Sequence, residues 1–271
     1  MVEYISKDHY FEKIRFMEAA KLIWNCWQNG DKIQQLPDKI SPKTRAEAYG
    51  IQACYESYSK APILGWKIAA TSLEGQKHIG VSGPLAGRIL RNRVFTPFEK
   101  LNFGKNKMAV AEPEFAFKMG KTLKPRNVQY NMKEVMQAVD TLHPSIEIPD
   151  SRFDNFSTVG ELQLIADNAC AHEFVIGPSM HDKWKMLDIS KHIVTIVTLN
   201  KHCNKGIGSN VLGDPRIALT WLVNELSKNN ISLLEGMIVS TGTCAKPITI
   251  KEGDTVIVNY GILGKMSFTF N

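Results

Sequence analysis

Val110-Ala111-Glu112-Pro113-Glu114-Phe115-Ala116-Phe117 reads as an extended strand carrying two acids. In a strand residues i and i+2 share a face, so Glu112 and Glu114 point the same way, and small Ala116 leaves room beside them. Two carboxylates on one face repel. On the solvent side of an edge strand, where Pro113 is also tolerated, they cost little; facing inward they demand a cation. Taken alone, the pair fits a solvated edge better than a metal site.

A second segment shifts that balance. In His143-Pro144-Ser145-Ile146-Glu147-Ile148, alternation sends Glu147 to the face opposite Ile146 and Ile148. Three acids offer all-oxygen coordination, which suits a hard cation such as Mg²⁺. Gly65-Trp66-Lys67 adds one lysine in an apolar strand, next to Ile68 and Ala69. Buried near a metal, such a lysine exchanges protons; otherwise it is an ordinary strand lysine that snorkels to water.

The surroundings predict an α+β protein. Tyr10 to Gln28 repeats apolar residues at Phe11, Ile14, Met17, Ala20 (or Lys21), Trp24 and Trp27, the spacing of a helix, and Ser41-Pro42 opens a second helix over residues 43–59. Beyond Pro62 short β-rich runs take over, at residues 64–68, 109–119, 145–148 and 192–199. Helical signals interrupt them at 131–141, 161–167 and 216–228, the last opened by Asp214-Pro215. Four runs after Met237 look like a meander. Strands and helices do not alternate regularly, so a curled mixed sheet fits better than a doubly wound parallel one. We read residues 1–60 as an N-terminal helical extension and residues 61–271 as the main domain.

Composition narrows the function. With 44% hydrophobic and 22% charged residues in 271, the chain is neither disordered nor a coiled coil. The start, Met1 to Arg15, lacks the apolar stretch of a signal peptide, and no run approaches the roughly 20 residues of a membrane span. Five scattered cysteines form no C-x-x-C pair, which points to a reducing cytoplasm. The net charge of +6 is broken up by acids, as on a solvated surface rather than a nucleic-acid groove. Gly206-Ile207-Gly208-Ser209-Asn210-Val211 ends in Val where a dinucleotide fingerprint needs Gly or Ala, and no P-loop, zincin helix or nucleophile elbow is complete.

Several short motifs in series resemble one family. They are Gly65-Trp66-Lys67-Ile68, Ile79-Gly80-Val81 with Gly83-Pro84 and Gly87-Arg88, Glu112-Pro113-Glu114, Ile146-Glu147-Ile148-Pro149-Asp150-Ser151-Arg152, Ala166-Asp167-Asn168-Ala169, Val211-Leu212-Gly213-Asp214-Pro215 and Ser240-Thr241-Gly242-Thr243. In this order they resemble the fumarylacetoacetate hydrolase superfamily, on its 2-keto-4-pentenoate hydratase and 4-oxalocrotonate decarboxylase branch. The resemblance implies a mixed β-sheet rolled on itself and a divalent cation, Mg²⁺ or Mn²⁺, held by Glu112, Glu114 and Glu147. It implies Lys67 as the catalytic lysine, and substrates that are 2-oxo or 2-hydroxydienoic acids chelating the cation. A Lewis acid at the 2-oxygen stabilises an enolate, which serves hydration and decarboxylation alike. Ser82, Leu85, Asn168, Thr241 and Gly242 are the further candidates for substrate contact, and a homo-oligomer is expected.

Two features depart from the branch. The loop Gly80 to Gly87 lacks the acid that hydratases often carry there, because Ser82 and Leu85 stand at its positions. As a pocket wall, Leu85 would favour a longer or more apolar substrate. Cys244-Ala245-Lys246 also replaces a run of small residues. A hydratase is the leading expectation, with a decarboxylase of 2-oxo dicarboxylic acids as rival. A carbon–carbon hydrolase, with His78 or His172 activating water, and a noncatalytic protein with a degenerate pocket stand further off.

Overall fold

The computed structural model describes residues 7–180, 182–199 and 202–271. Residues 1–6 of the expected N-terminal extension lie outside them. In chain order the elements are α1 (Lys7–Asn29), α2 (Arg45–Ala53), α3 (Tyr55–Ser59), β1 (Ile63–Ala69), α4 (Leu73–Ile79), β2 (Leu85–Leu90), β3 (Val94–Phe95), β4 (Lys100–Leu101), β5 (Val110–Met119) and α5 (Met132–Gln137). There follow β6 (Val139–Ile148), α6 (Glu161–Ala166), β7 (Glu173–Ile176), β8 (Ile193–Thr198), β9 (Cys203–Ile207), α7 (Pro215–Lys228), β10 (Ile238–Thr243), β11 (Ile248–Thr249), β12 (Thr255–Asn259) and β13 (Lys265–Phe270).

Two sheets organise the chain. The larger runs β2-β1-β10-β5-β6-β7-β3, with β11 also paired to β5, and mixes parallel β1–β10 and β3–β7 pairs with antiparallel neighbours. It is strongly curled. Three strand-to-strand steps separate β1 from β6, roughly 14 Å on a flat sheet, yet Lys67 on β1 meets Glu147 on β6 at 2.8 Å. The smaller sheet runs β4-β13-β12-β8-β9, and β8, β12 and β13 alternate buried and exposed residues as half-buried strands should. The four terminal runs are therefore not one meander: β10 and β11 join the larger sheet and β12 and β13 the smaller.

The helical layer covers the large sheet. Helix α1 rests on the body through Ala19, Ala20, Ile23 and Trp27, all buried, whereas the expected stripe residues Phe11 and Met17 are 65% and 43% exposed. Helix α2 begins one turn later than Ser41-Pro42 suggests, because the Thr44 side chain accepts from Glu47 N at 3.1 Å and so caps it. The helix expected over 131–141 stops at Gln137. Val139 and Thr141 instead pair with Met119 and Lys118 on β5, tertiary pairing overriding local propensity. Asp214 caps α7 and Pro215 opens it, as the sequence predicts. Among the described residues no helix is long and apolar enough to cross a membrane.

Candidate active site

Strand register assembles the acids. Glu112 on β5 stands directly opposite Glu147 on β6, and Glu114 opposite Ser145, so all three carboxylates rise from one face of the sheet. One ligand oxygen from each lies within 4.8 Å of the others. Like charges directly opposite on a sheet destabilise it unless something compensates. Strand β5 is central rather than an edge, so the solvated reading of Glu112 and Glu114 fails.

Glu114 is held by β10. A register shift in β10 between Ser240 and Thr243 places Gly242 at φ 101°, and its N–H donates to Glu114 Oε2 at 3.0 Å. This is how a bulge re-aims a backbone donor. Ser240 Oγ donates to the same oxygen at 2.5 Å. Behind the sheet, Tyr260 accepts from Glu114 N at 3.1 Å and donates to the Ser145 carbonyl. Nothing in the sequence motifs marked Tyr260; its only signal was an aromatic at the end of a strand run.

Lys67 completes the cluster. Its Nζ meets Glu147 Oε1 at 2.8 Å and donates to the Ala169 carbonyl at 2.8 Å, with only 3% of the residue exposed. Close approach requires the glycine at position 87, where a Cβ would lie 2.2 Å from Asn168 O and 3.1 Å from Lys67 Cδ. Beside the acids the same face carries an apolar floor of Ile89, Ala116, Phe174 and Ile238. A narrow cleft opens onto Lys67 and Glu147, walled by Ile89, Leu90, Phe174 and Trp27 and rimmed by Arg88 and Arg93.

Burial sets the electrostatics. Desolvation and then the Glu147 charge push Glu112 up to about 7, against the pull of Lys67. Desolvation, followed by the charges of Glu147 and Glu112, raises Glu114 well above the carboxylate range. Burial also raises Glu147, with Lys67 opposing it. For Lys67 burial works toward a lower value, but Glu147 and its other neighbours prevail and hold the ammonium above its ordinary range. Glu114 Oε1 and both carboxylate oxygens of Glu147 are buried without a hydrogen bond, Glu147 Oε1 having only the ion pair with Lys67. Buried acceptors of this kind are costly, and the donor set, all carboxylate oxygen, fits a hard divalent cation.

Known proteins share this arrangement of the chain. No family model matches it. The 2-keto-4-pentenoate hydratase of Paraburkholderia xenovorans (strain LB400) is 26% identical over 256 residues, 93% of this chain and 94% of that protein. The solved structure of 4-oxalocrotonate decarboxylase from Pseudomonas putida G7, complexed with magnesium and adipate, aligns with a TM-score of 0.85 at 23% identity, over 94% of this chain and 97% of that one. Fumarylacetoacetate hydrolase from Exiguobacterium antarcticum aligns at 0.55 and 14% identity, over 78% and 76%. Over nearly its whole length the chain thus resembles the fumarylacetoacetate hydrolase superfamily. Within that superfamily it is similar to the hydratase and decarboxylase branch, the 4-oxalocrotonate decarboxylase of Pseudomonas sp. (strain CF600) being 25% identical over 94% of this chain and 96% of that protein.

The other residues singled out in the superfamily motifs are placed unevenly. Gly242 touches the cluster through its N–H. Thr241 Oγ1 donates to the Phe115 carbonyl and ties β10 to β5. The Asn168 side chain is taken up by both backbone groups of Arg88. Ser82 is exposed and donates to Glu161, which is itself paired with Arg45. Leu85 is fully buried in the main core, so the apolar wall expected from it comes instead from Ile89, Leu90 and Phe174. His78 packs edge-on against Phe156. His172 lines the cleft, but its Nδ1 accepts from Trp27, and burial with the nearby Arg93 charge lowers it to about 2, which makes it a poor base.

Proposed function

We propose that this chain is a metal-dependent hydratase of 2-hydroxy-2,4-dienoic acids, a cytoplasmic homo-oligomer whose residues 61–271 form the catalytic unit beneath a helical extension of residues 1–60. The observation that carries this reading is the cluster of three carboxylates, two buried and one half-buried, facing one lysine, with three carboxylate oxygens lacking hydrogen bonds. Similarity to a 2-keto-4-pentenoate hydratase supports the substrate class. Glu112, Glu114 and Glu147 would hold Mg²⁺ or Mn²⁺, and the bound ion supplies Lewis-acid stabilisation of an enolate. Ser240 and the Gly242 N–H orient the Glu114 carboxylate for that task. Lys67 holds the proton that moves to or from C3 or C5 of the substrate. The apolar floor takes the dienyl chain and keeps water from the rest of the site.

A decarboxylase of 2-oxo dicarboxylic acids is the second reading, and the 80–87 loop favours it. Ser82 is engaged by Glu161, and a hydroxyl hardly deprotonates water at neutral pH. Loss of CO₂ needs no activated water. A spectrophotometric screen of 2-hydroxypenta-2,4-dienoate, its longer analogues and 4-oxalocrotonate, with Mg²⁺ or Mn²⁺, separates the two. Loss of the dienol chromophore without CO₂ release supports the hydratase; CO₂ release supports the decarboxylase. No turnover, together with no rise in Tm on adding either cation, would leave a degenerate pocket.

A further inference from the structure

The seam of the curled sheet is closed by three consecutive residues in the left-handed region. Asn168, Ala169 and Cys170 have φ of 57°, 50° and 61°. L-residues disfavour this conformation, and Asn tolerates it better than Ala or Cys. Such a segment persists only where its surroundings over-determine it. Here they do. Upstream, Asp167 is gripped by Arg152 and Ser151, and Tyr55 donates to the Ala166 carbonyl. Downstream, the Cys170 carbonyl accepts from Asp150 N at 3.0 Å and the Ala171 carbonyl from Arg152 at 2.8 Å.

Between those anchors the Asn168 side chain does what a neighbouring strand would do. Strand β2 is the edge of the large sheet. Asn168 Oδ1 accepts from Arg88 N at 2.6 Å, and Asn168 Nδ2 donates to Arg88 O at 2.9 Å. The turn is thereby clamped to β2 with the Ala169 carbonyl on Lys67 Nζ. An ammonium has three N–H groups. The Ala169 carbonyl accepts one of them, while Glu147 Oε1 at 2.8 Å is an ion-pair partner outside hydrogen-bond geometry, so the carbonyl is the contact that sets which way the remaining N–H groups face.

We infer that Asn168 is a positioning residue: by clamping the left-handed turn to β2 it holds the Ala169 carbonyl on Lys67, so that the lysine exchanges protons with only one face of the substrate's enol carbon. This rests on Lys67 being the proton shuttle. In the step, an N–H bond of Lys67 breaks and its electron pair stays on nitrogen. The C2=C3 π pair forms the new C3–H bond, while the enol O–H bond breaks, its proton passing to water and its electron pair completing the C2=O carbonyl. Water returns the proton to Lys67, and the reverse sequence exchanges a C3 proton with solvent.

The test uses 2-oxopentanoate, which can enolise but offers no diene to hydrate and no second carboxylate to lose. In D₂O with Mg²⁺, ¹H NMR follows exchange at C3. The wild-type protein should exchange one of the two C3 protons at least about tenfold faster than the other. In Asn168→Gly, which keeps a residue at ease with φ near 57° but removes the clamp, that preference should collapse toward equality. Total exchange should fall roughly 10- to 100-fold, the scale of an ångström-sized misplacement. Mg²⁺ binding by calorimetry should stay within twofold. Asn168→Asp, which retains one acceptor and sets an oxygen against the Arg88 carbonyl, is the second variant should the first fold poorly. Undiminished selectivity in a folded Asn168 variant overturns the proposal, as do equal rates at both protons in the wild type. Unchanged exchange in Lys67→Ala is a separate result, which removes the shuttle assignment itself.

Discussion

Two groups of buried charge flank the turn at residues 168–170, and they are compensated in opposite ways. On one side Lys32 and Arg152 face Asp150 and Asp167, two cations against two anions, and no polar side-chain atom among them is left without a partner. Asp150 Oδ1 even accepts the Lys107 and Met108 N–H groups. On the other side one ammonium, Lys67, faces Glu112, Glu114 and Glu147, which ionised leave an excess of two negative charges and three oxygens without hydrogen bonds. A fully satisfied buried network rigidifies a fold, whereas a partly satisfied one is costly until something completes it. The balanced group is therefore architecture, and the unbalanced group is a site whose deficit matches one divalent cation.

The sharpest way to separate the two groups is to delete the cation of each. Lys67→Ala should lower kcat by roughly 10²–10⁴-fold, the range for a general acid–base group, while calorimetry still detects Mg²⁺. Near-normal turnover would make this lysine structural, like its counterpart. Arg152→Ala should instead act on the fold, costing about 3–5 kcal/mol in urea unfolding, because Asp167 is left buried and unpaired. A loss below about 1 kcal/mol would show that water enters and that the group is not architecture. Smaller again is the effect of the metal. Mg²⁺ at a hundred times its Kd should stabilise the protein by about 2.7 kcal/mol, read as a rise in Tm that a chelator reverses. The same addition to Glu147→Gln should do far less; an equal rise would place the ion elsewhere.

How far the sequence foretold these two groups follows from where each gets its geometry. The unbalanced one is built on strand alternation, so Glu112, Glu114, Glu147 and Lys67 could all be assigned a face from their immediate neighbours. Even so, Pro113 suggested an edge strand, and only the shifted register of β10 alongside it shows how a central strand accommodates that residue. The balanced group and its turn draw on partners far apart in the chain. Asn168 and Arg88 are 80 positions apart, and Lys32 and Asp150 are 118. No local pattern carries that information. Strand β2 escaped notice for a related reason: all six of its residues are buried, so the polar alternation that marks a half-buried strand is missing. The α1 stripe misled in the other direction, since periodicity reports a helix but not which part of it meets the body.

The smallest effect tests the charge imbalance itself. An unfolded Glu112 ionises near 4.5, whereas in the folded metal-free protein burial, followed by Glu147, holds the proton up to about 7. Between those values the folded state binds more protons than the unfolded, so stability should fall as pH rises from 4.5 to 7. This is the reverse of ordinary acid denaturation. A shift of that size is worth at most roughly 3 kcal/mol, and Glu112 keeps some surface, so about 1–2 kcal/mol is expected. Glu173, also pushed up to about 7 by burial, contributes with the same sign, so the contrast with a variant matters more than the bare slope. In urea unfolding with a chelator present, Glu112→Gln should be the more stable protein at pH 7.5 by that amount and should show a flatter profile between pH 5 and 7.5. With saturating Mg²⁺ the order should invert, because the variant has lost a ligand. If the variant keeps the full wild-type slope, the uncompensated charge does not reside on Glu112 but on Glu114, Glu147 or Glu173, which burial also raises.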